Sequence, residues 1–393
     1  MANGKSILNG CLRSDDTRVM LAALSQLGVT VEELSGGESI CIEGQGDGDL
    51  QSDLLIQVEN SGTTIRFLTG ALSVLGGTFT LDGISRMRER PIIHLVNALK
   101  SMGCDTSCAA NGCPPVKINS ARSQGGDVSI RGDLSSQYLS GLLMASPRAG
   151  SPVTISIDGP LVSVPYVQMT MDVMNAFGVA VSHERFERFK VAAPLEYEAI
   201  DYDVEPDASA ASYFLALAAV TGSTITIEGL GRKSIQGDIR FADVLQTMGC
   251  EVQWTDSSVT ITGHDLVGVD VDMNDISDTV QTLAVTALFA SGKTTIRNVA
   301  HIRHKETDRL SALANELRKL GATILEMDDA LEITPGPLSP ASISTYDDHR
   351  MAMSFAIAGL RIPRVEIENP GCCEKTYPHF FEDLHRVIGL EDE

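Results

Sequence analysis

An amphipathic helical pattern that closes on an apolar residue and a glycine recurs six times along this chain. It runs over Thr17–Gly28, Pro91–Gly103, Pro165–Gly178, Asp238–Gly249, Asp308–Gly321 and Pro378–Gly389, so successive copies lie 75, 75, 71, 72 and 68 residues apart. Helices commonly end on a left-handed residue, a conformation that glycine adopts at little cost, so these glycines mark helix ends. A fixed period of this kind is the mark of a repeated supersecondary unit that buries its apolar face against its neighbours. The chain is therefore expected to fold as a set of like units and not as one irregular domain.

A second pattern alternates with the first, over Gly62–Gly83, Ser135–Gly159, Ala208–Gly229, Asp278–Asn298 and Asp348–Asn369. It begins with segments such as TLAVTALFASG and SYFLALAAVTG, which are apolar nearly all round and so predict helices buried on every side. Their Ala, Gly and Ser residues permit close packing. Each is followed by a short segment such as TITIEG or VTISIDG, whose alternation predicts a strand with one wet face. The expectation is six α/β units, three to a domain, with buried helices inside and sheets outside. The first copy is incomplete. By the spacing of the full copies, the helix leading to Asn9-Gly10 should begin about ten residues before Met1, which would leave an open flank in the first core.

Composition excludes several functions. The 393 residues carry 30 Lys+Arg against 52 Asp+Glu, a net charge of −22, which disfavours nucleic acid and anionic membrane surfaces as partners. No apolar run reaches the ~18–20 residues of a membrane span, and the N-terminal residues read as neither a secretory signal nor a transit peptide. The eight cysteines read as free thiols of a reducing compartment, so a cytoplasmic location is expected. Cys104, Cys108 and Cys113 match no zinc spacing, and His301 and His304 have no third ligand in sequence, so no metal is expected.

Four second-pattern segments begin with Ser, Thr, Asp or Gly: Asn60-Ser61-Gly62-Thr63-Thr64-Ile65-Arg66, Ser135-Ser136-Gln137-Tyr138, Ser277-Asp278-Thr279 and Asp347-Asp348-His349-Arg350. The exposed N–H groups and dipole of a helix start favour anions, while the same residue types also serve as plain caps. Basic runs stand at first-pattern starts, in Arg86-Met87-Arg88-Glu89-Arg90-Pro91 and His301 to Arg309, and again at Glu374-Lys375-Thr376-Tyr377-Pro378. Lys305 and Arg309, four apart, would share a helix face if that helix has begun.

Taken in order, NSGTTIRF, RMRERP, SSQYLSGLLM, SVPY, HKETDRL, DDHRMAM and EKTYP resemble the 5-enolpyruvylshikimate-3-phosphate synthase family, from about Ser14 to the C-terminus. The resemblance implies a two-domain inside-out α/β barrel of six βαβαββ-type units, the first truncated, with domains at 1–204 and 205–393. It implies a transferase of the shikimate pathway, acting in chorismate and aromatic amino acid biosynthesis, with phosphoenolpyruvate and shikimate 3-phosphate as substrates. It further implies no cofactor, a monomer, and glyphosate as an inhibitor.

By motif match, Arg90, Gln137, Arg309, Arg350 and Lys375 resemble the phosphoenolpyruvate cradle. Ser135, Ser136, Ser163 and Tyr166 resemble the shikimate-phosphate contacts, and Asn60, Gly62 and Thr63 line the enolpyruvyl side. Asp278 would hold the shikimate hydroxyls and take a proton, Glu306 would move the proton at the methylene carbon, and Lys305 would support the charge.

The pattern breaks at the start. The family opens with a strand and a Ser-Lys-Ser turn followed by an Arg, whereas this chain has only Lys5-Ser6 before Ile7-Leu8-Asn9-Gly10. These two residues are either a remnant of that turn, still touching substrate, or part of a disordered tail. The gap leaves open a weak or silent member that acts as a binding protein or needs a separate N-terminal piece. The related transferase acting on UDP-N-acetylglucosamine carries a Cys in the loop that here reads Ser85-Arg86-Met87-Arg88-Glu89, so it fits less well.

Overall fold

The computed structural model describes residues 1–34, 37–46, 50–121 and 123–389. The chain divides into two compact units, Met1–Val204 and Glu205–Glu393, each with its own apolar core. The first unit holds α1 (Asp15–Gln26), α2 (Gly62–Leu75), α3 (Ile93–Ser101), α4 (Ser136–Ala145) and α5 (Val164–Ala176). The second holds α6 (Ala208–Thr221), α7 (Phe241–Thr247), α8 (Val280–Thr286), α9 (Arg309–Lys319), α10 (His349–Gly359) and α11 (Phe380–Ile388).

The odd-numbered helices are those of the glycine-ended pattern. Gly28, Gly103, Gly178, Gly249, Gly321 and Gly389 follow them with φ between 73° and 114°, where a side chain would be strained. The α7 copy is broken: Gly237–Arg240 is a 3₁₀ turn before the helix proper.

The even-numbered helices are the buried ones. In α6 only Ala210 and Thr221 escape burial. In the first unit, α2 and α4 cross backbone against backbone. A Cβ on Gly70 would fall 2.4 Å from the Gly141 carbonyl oxygen, and one on Gly141 would fall 2.9 Å from that of Arg66. In the second unit, the three buried helices share hydroxyls. Ser212 of α6 lies 3.1 Å from Thr282 of α8, which lies 3.5 Å from Ser354 of α10.

Around these helices lie separate sheets, not one closed hydrogen-bonded barrel. Most follow one plan: a strand before a buried helix runs parallel to the strand after it, and a hairpin adds antiparallel strands. Leu54–Gln57 with Gly77–Asp82, Gly126–Arg131 with Val153–Asp158, and Asp270–Asp272 with Thr294–Arg297 are such pairs. The sheet of Asn3–Asn9 takes its parallel strand from the far end of the unit, Asp201–Asp203.

Lys5 and Ser6 correct an expectation. They form neither a turn before a buried helix nor a disordered tail. They lie inside the strand Asn3–Asn9, opposite Glu43 and Ile42. Ser6 is buried and its Oγ accepts from the Ile200 N–H at 3.3 Å. An apolar cavity of about 250 Å³ adjoins this strand, walled by Leu8, Ile42, Met144, Val173, Phe177 and Tyr197.

Candidate active-site clusters

In the first unit the starts of α2 and α4 are tied together. Ser61 caps α2, its Oγ accepting from the Thr64 N–H, and Ser135 caps α4 through the Gln137 N–H. The Gln137 amide spans the two helices: Nε2 donates to Thr63 Oγ1 at 3.1 Å, and Oε1 accepts from Arg66 Nη1. Of the three arginines in the RMRERP run, Arg86 pairs with Glu89 and Arg88 with Asp82 at the surface. Arg90 instead turns inward, is 5% exposed, and donates from Nη1 to the Asn60 carbonyl at 3.0 Å. Its guanidinium lies over Gly62, where a Cβ would fall 2.6 Å from Arg90 Nη2. A side chain at this position would displace the guanidinium from the helix start. Tyr138 of α4 donates its hydroxyl hydrogen to the Pro91 carbonyl and so pins the turn that carries Arg90.

Asn60, Gly62, Thr63, Arg90 and Gln137 are therefore brought together, with Ser135 and the buried Ser136 at the adjoining helix start. Ser163 and Tyr166 sit at the start of α5, Ser163 in a left-handed conformation with φ 56°. Their helix is joined to α4 by a 2.7 Å hydrogen bond between Ser140 and Thr170.

In the second unit the motifs meet in one charged cluster. Asp278 Oδ1 accepts from Lys305 Nζ and from Arg309 Nη1 (3.1 Å), and Oδ2 accepts from Arg350 Nη2 (3.1 Å). Arg309 is 1% exposed. Its Nε donates to Asp348 at 2.7 Å, and Nη2 donates to Glu306 at 2.8 Å and to Asp348 at 3.3 Å. Lys375 Nζ lies 3.7 Å from Glu306 Oε1. Arg350 also donates to Ser209 Oγ at 3.1 Å. Three carboxylates, Asp278, Glu306 and Asp348, thus face four cations, Lys305, Arg309, Arg350 and Lys375. Basic residues thus concentrate locally in a chain whose net charge is −22, and local potential governs the capture of a small anion.

The cluster sets its own proton affinities. Burial alone would raise the Asp278 carboxyl, but Arg350, Lys305 and Arg309 outweigh it and hold it far below the usual carboxylate range. Burial lowers the Lys305 ammonium, helped by Arg309 and Arg350 against the pull of Asp278. A lysine lowered in this way gives up its proton more readily. Burial also drives His301 down to about 3, with the nearby Lys305 adding to the effect.

Two expectations change here. Lys305 and Arg309 do not share a helix face: α9 begins at Arg309 with Asp308 as its cap, and Lys305 lies outside it with ψ −143°. They meet at Asp278 instead. Asp278 is not a cap of α8 but lies in the 3₁₀ turn Asn274–Thr279 before it. Sequence reasoning also missed three supports. Asp348 is fully buried and anchors Arg309. Arg66 is a charged residue on an otherwise buried helix, which was a readable signal. Glu316, also fully buried, accepts from the Ser344 N–H and the Tyr346 hydroxyl and so fixes the segment leading to Asp348.

The family model for EPSP synthase (3-phosphoshikimate 1-carboxyvinyltransferase) matches residues 1–384. The chain belongs to the EPSP synthase family. It is 47% identical to the chloroplastic 3-phosphoshikimate 1-carboxyvinyltransferase of Brassica napus, over 98% of this chain and 79% of that one. It is 46% identical to the enzyme of that name from Aliivibrio salmonicida, over 98% of this chain and 92% of that one. A solved EPSP synthase from Acinetobacter baumannii superposes with a TM-score of 0.81 at 25% identity, covering 98% of this chain and 90% of that chain. An enolpyruvyl transferase from Streptomyces tendae shares the fold, with a TM-score of 0.77 at 19% identity over 98% and 90% of the two chains. Buried helices with outer sheets are thus the architecture of the EPSP synthase family.

Proposed function

We propose that this chain transfers the enolpyruvyl group of phosphoenolpyruvate to the 5-hydroxyl of shikimate 3-phosphate and releases phosphate. The observation that carries the reading is the Asp278 carboxylate held by Lys305, Arg309 and Arg350, with Glu306 beside them. Such a cluster offers a hydroxyl-binding carboxylate, a proton carrier and anion anchors within one hydrogen-bonded group, as the reaction requires.

The chemistry has two steps. The 5-hydroxyl oxygen gives its proton to Asp278 and bonds to C2 of phosphoenolpyruvate, while the C2–C3 double bond opens and C3 gains a proton and becomes a methyl group, giving a tetrahedral ketal phosphate. The C2–O bond to phosphate then breaks, C3 gives up a proton as the double bond re-forms, and phosphate leaves with the proton that Asp278 had taken. Glu306 is assigned the proton at C3, and the lowered Lys305 supports that transfer. Asp278 holds the ring hydroxyls. Caged by three cations it is a weak base, and it gains basicity as those cations turn to an incoming anion.

Arg350 and Lys375 in the second unit, and Arg90 and Gln137 in the first, are assigned to phosphoenolpyruvate, since a planar guanidinium meets carboxylate or phosphate in two-point fashion. Arg309 has four of its five N–H donors engaged within the cluster, so it acts mainly by holding Asp278 and Glu306 in place. Ser135, Ser136, Ser163 and Tyr166 are assigned to the shikimate phosphate. Asn60, Gly62 and Thr63 are assigned to the enolpyruvyl side, where glyphosate would compete. No described helix is long and apolar enough to cross a membrane, and a monomer in the cytoplasm fits this reading.

Lys5 and Ser6 lie inside a strand and not in a Ser-Lys-Ser turn, which favours a second reading, in which the first unit binds substrate weakly and the chain acts as a binding protein. Proton NMR of a mixture with both substrates separates the two. New vinyl signals of an enol ether, absent when either substrate is omitted, support transfer. Binding of shikimate 3-phosphate without those signals supports the second reading.

A further inference from the structure

We infer that Arg66 is a positioning residue that fixes the orientation of the Gln137 amide and adds a second guanidinium to the start of α2. The inference rests on the assignment of Gln137 and Arg90 to the enolpyruvyl donor. Arg66 lies four residues beyond Gly62 on α2 and is only 6% exposed. Its contacts are the Gln137 amide oxygen and the face of Tyr138, whose ring centroid lies 5.1 Å from the guanidinium carbon. Its Nε has no hydrogen-bond partner among the described residues. None of these neighbours is a carboxylate. A buried cation without a counter-ion is expensive to maintain, and its position shows what would compensate it. A Cβ on Gly62 would fall 3.1 Å from Arg66 Nη1 and 2.6 Å from Arg90 Nη2. Two guanidinium groups therefore flank the first residue of a buried helix, where N–H groups and the helix dipole already favour an anion.

Hydrogen-bond chemistry then sets the amide. A guanidinium only donates, so the oxygen of Gln137 must face Arg66 and the NH₂ must face the other way, towards Thr63 Oγ1 at 3.1 Å. The reversed amide would set donor against donor. With the oxygen held, one Nε2 hydrogen serves Thr63 and the other is left to donate to a bound carboxylate or phosphate. Arg66 thus acts through Gln137, and its charge supplements that of Arg90.

Steady-state phosphate release by the full chain, with each substrate varied in turn, tests this on wild type, Arg66→Met, Arg66→Lys, Gln137→Ala and the Arg66→Met/Gln137→Ala double variant. The KM for phosphoenolpyruvate should rise about tenfold or more in Arg66→Met, while the KM for shikimate 3-phosphate and the thermal midpoint change little. Arg66→Lys keeps a donor and should recover part of the loss. The double variant should be little worse than the poorer single one. An unchanged KM for phosphoenolpyruvate in Arg66→Met, or single losses that multiply in the double variant, would overturn the inference. If Arg66→Met does not fold, Arg66→Lys carries the same test, since a distorted amide should still raise that KM selectively. A wild type that neither turns over nor binds phosphoenolpyruvate would instead defeat the functional assignment on which the inference rests.

Discussion

The two units are built on one plan and complete it differently. In the second, α6, α8 and α10 meet through the hydroxyls of Ser212, Thr282 and Ser354, although the buried Gln281 amide of α8 finds no partner among the described residues. In the first, the buried helices are α2 and α4. Ser140 finds its partner on the outer helix α5, Thr69 Oγ1 of α2 has none among the described residues, and an apolar cavity adjoins the strand Asn3–Asn9. The charged residues differ in the same sense. Arg309 is locked among three carboxylates, whereas Arg66 rests on the neutral amide oxygen of Gln137. Arg309 is thus compensated by carboxylates of its own unit, whereas Arg66 is arranged for something that arrives from outside.

The largest expected effect comes from removing a cation on each side. Arg309→Ala should abolish turnover and also lower stability by about 3–5 kcal/mol, because it leaves buried carboxylates uncompensated. Arg66→Met should raise the KM for phosphoenolpyruvate but lower stability by no more than about 1 kcal/mol, because its described hydrogen-bond partner, the Gln137 amide oxygen, is neutral. Chemical denaturation alongside phosphate release checks both, and equal stability losses would break the contrast.

Acid should expose the same asymmetry. Burial holds His301 at about 3 and His349 well below its ordinary value. In the unfolded chain both titrate near 6.5, so the unfolded state binds more protons below that pH. Stability of the second unit should therefore fall as pH drops from about 6.5 towards 3, by up to about 1.4 kcal/mol per pH unit for each group. The depressed Asp278 adds to the loss in the same direction at lower pH. The single tryptophan, Trp254, belongs to the second unit, so its fluorescence should change at higher pH than half of the far-UV circular dichroism signal. Coincident transitions would count against unequal acid sensitivity.

The smallest expected effect concerns the cores. Val173→Leu, which adds volume beside the cavity, should stabilise by about 0.5–1 kcal/mol. Ser212→Ala, which strips a hydroxyl from the closed bundle, should destabilise by about 1 kcal/mol. Both are read from denaturation midpoints, and destabilisation by Val173→Leu would mean that the cavity walls do not yield.

Much of this was legible because it is local. Glycine-ended helices and uniformly apolar helices declare themselves within a dozen residues, and the positive φ values at Gly28 to Gly389 follow from that. The residue types of the charged cluster were legible as motifs. What escaped was long-range. That Asp348 would anchor Arg309, 39 positions earlier in the sequence, depends on how α9 and α10 pack. That Lys5 and Ser6 would be held in a sheet depends on pairing with Ser39–Gln45, which no local pattern specifies. Lys305 and Arg309 are neighbours for a reason that helix spacing does not supply: both donate to the Asp278 carboxylate.

The most direct test of the central claim is phosphate release by the purified chain with both substrates, compared with Lys305→Met. The account predicts release that requires both substrates, falls by about a hundredfold or more in the variant, and leaves the thermal midpoint nearly unchanged. A wild type that binds shikimate 3-phosphate yet releases no phosphate, or a Lys305→Met variant with full turnover, would contradict it.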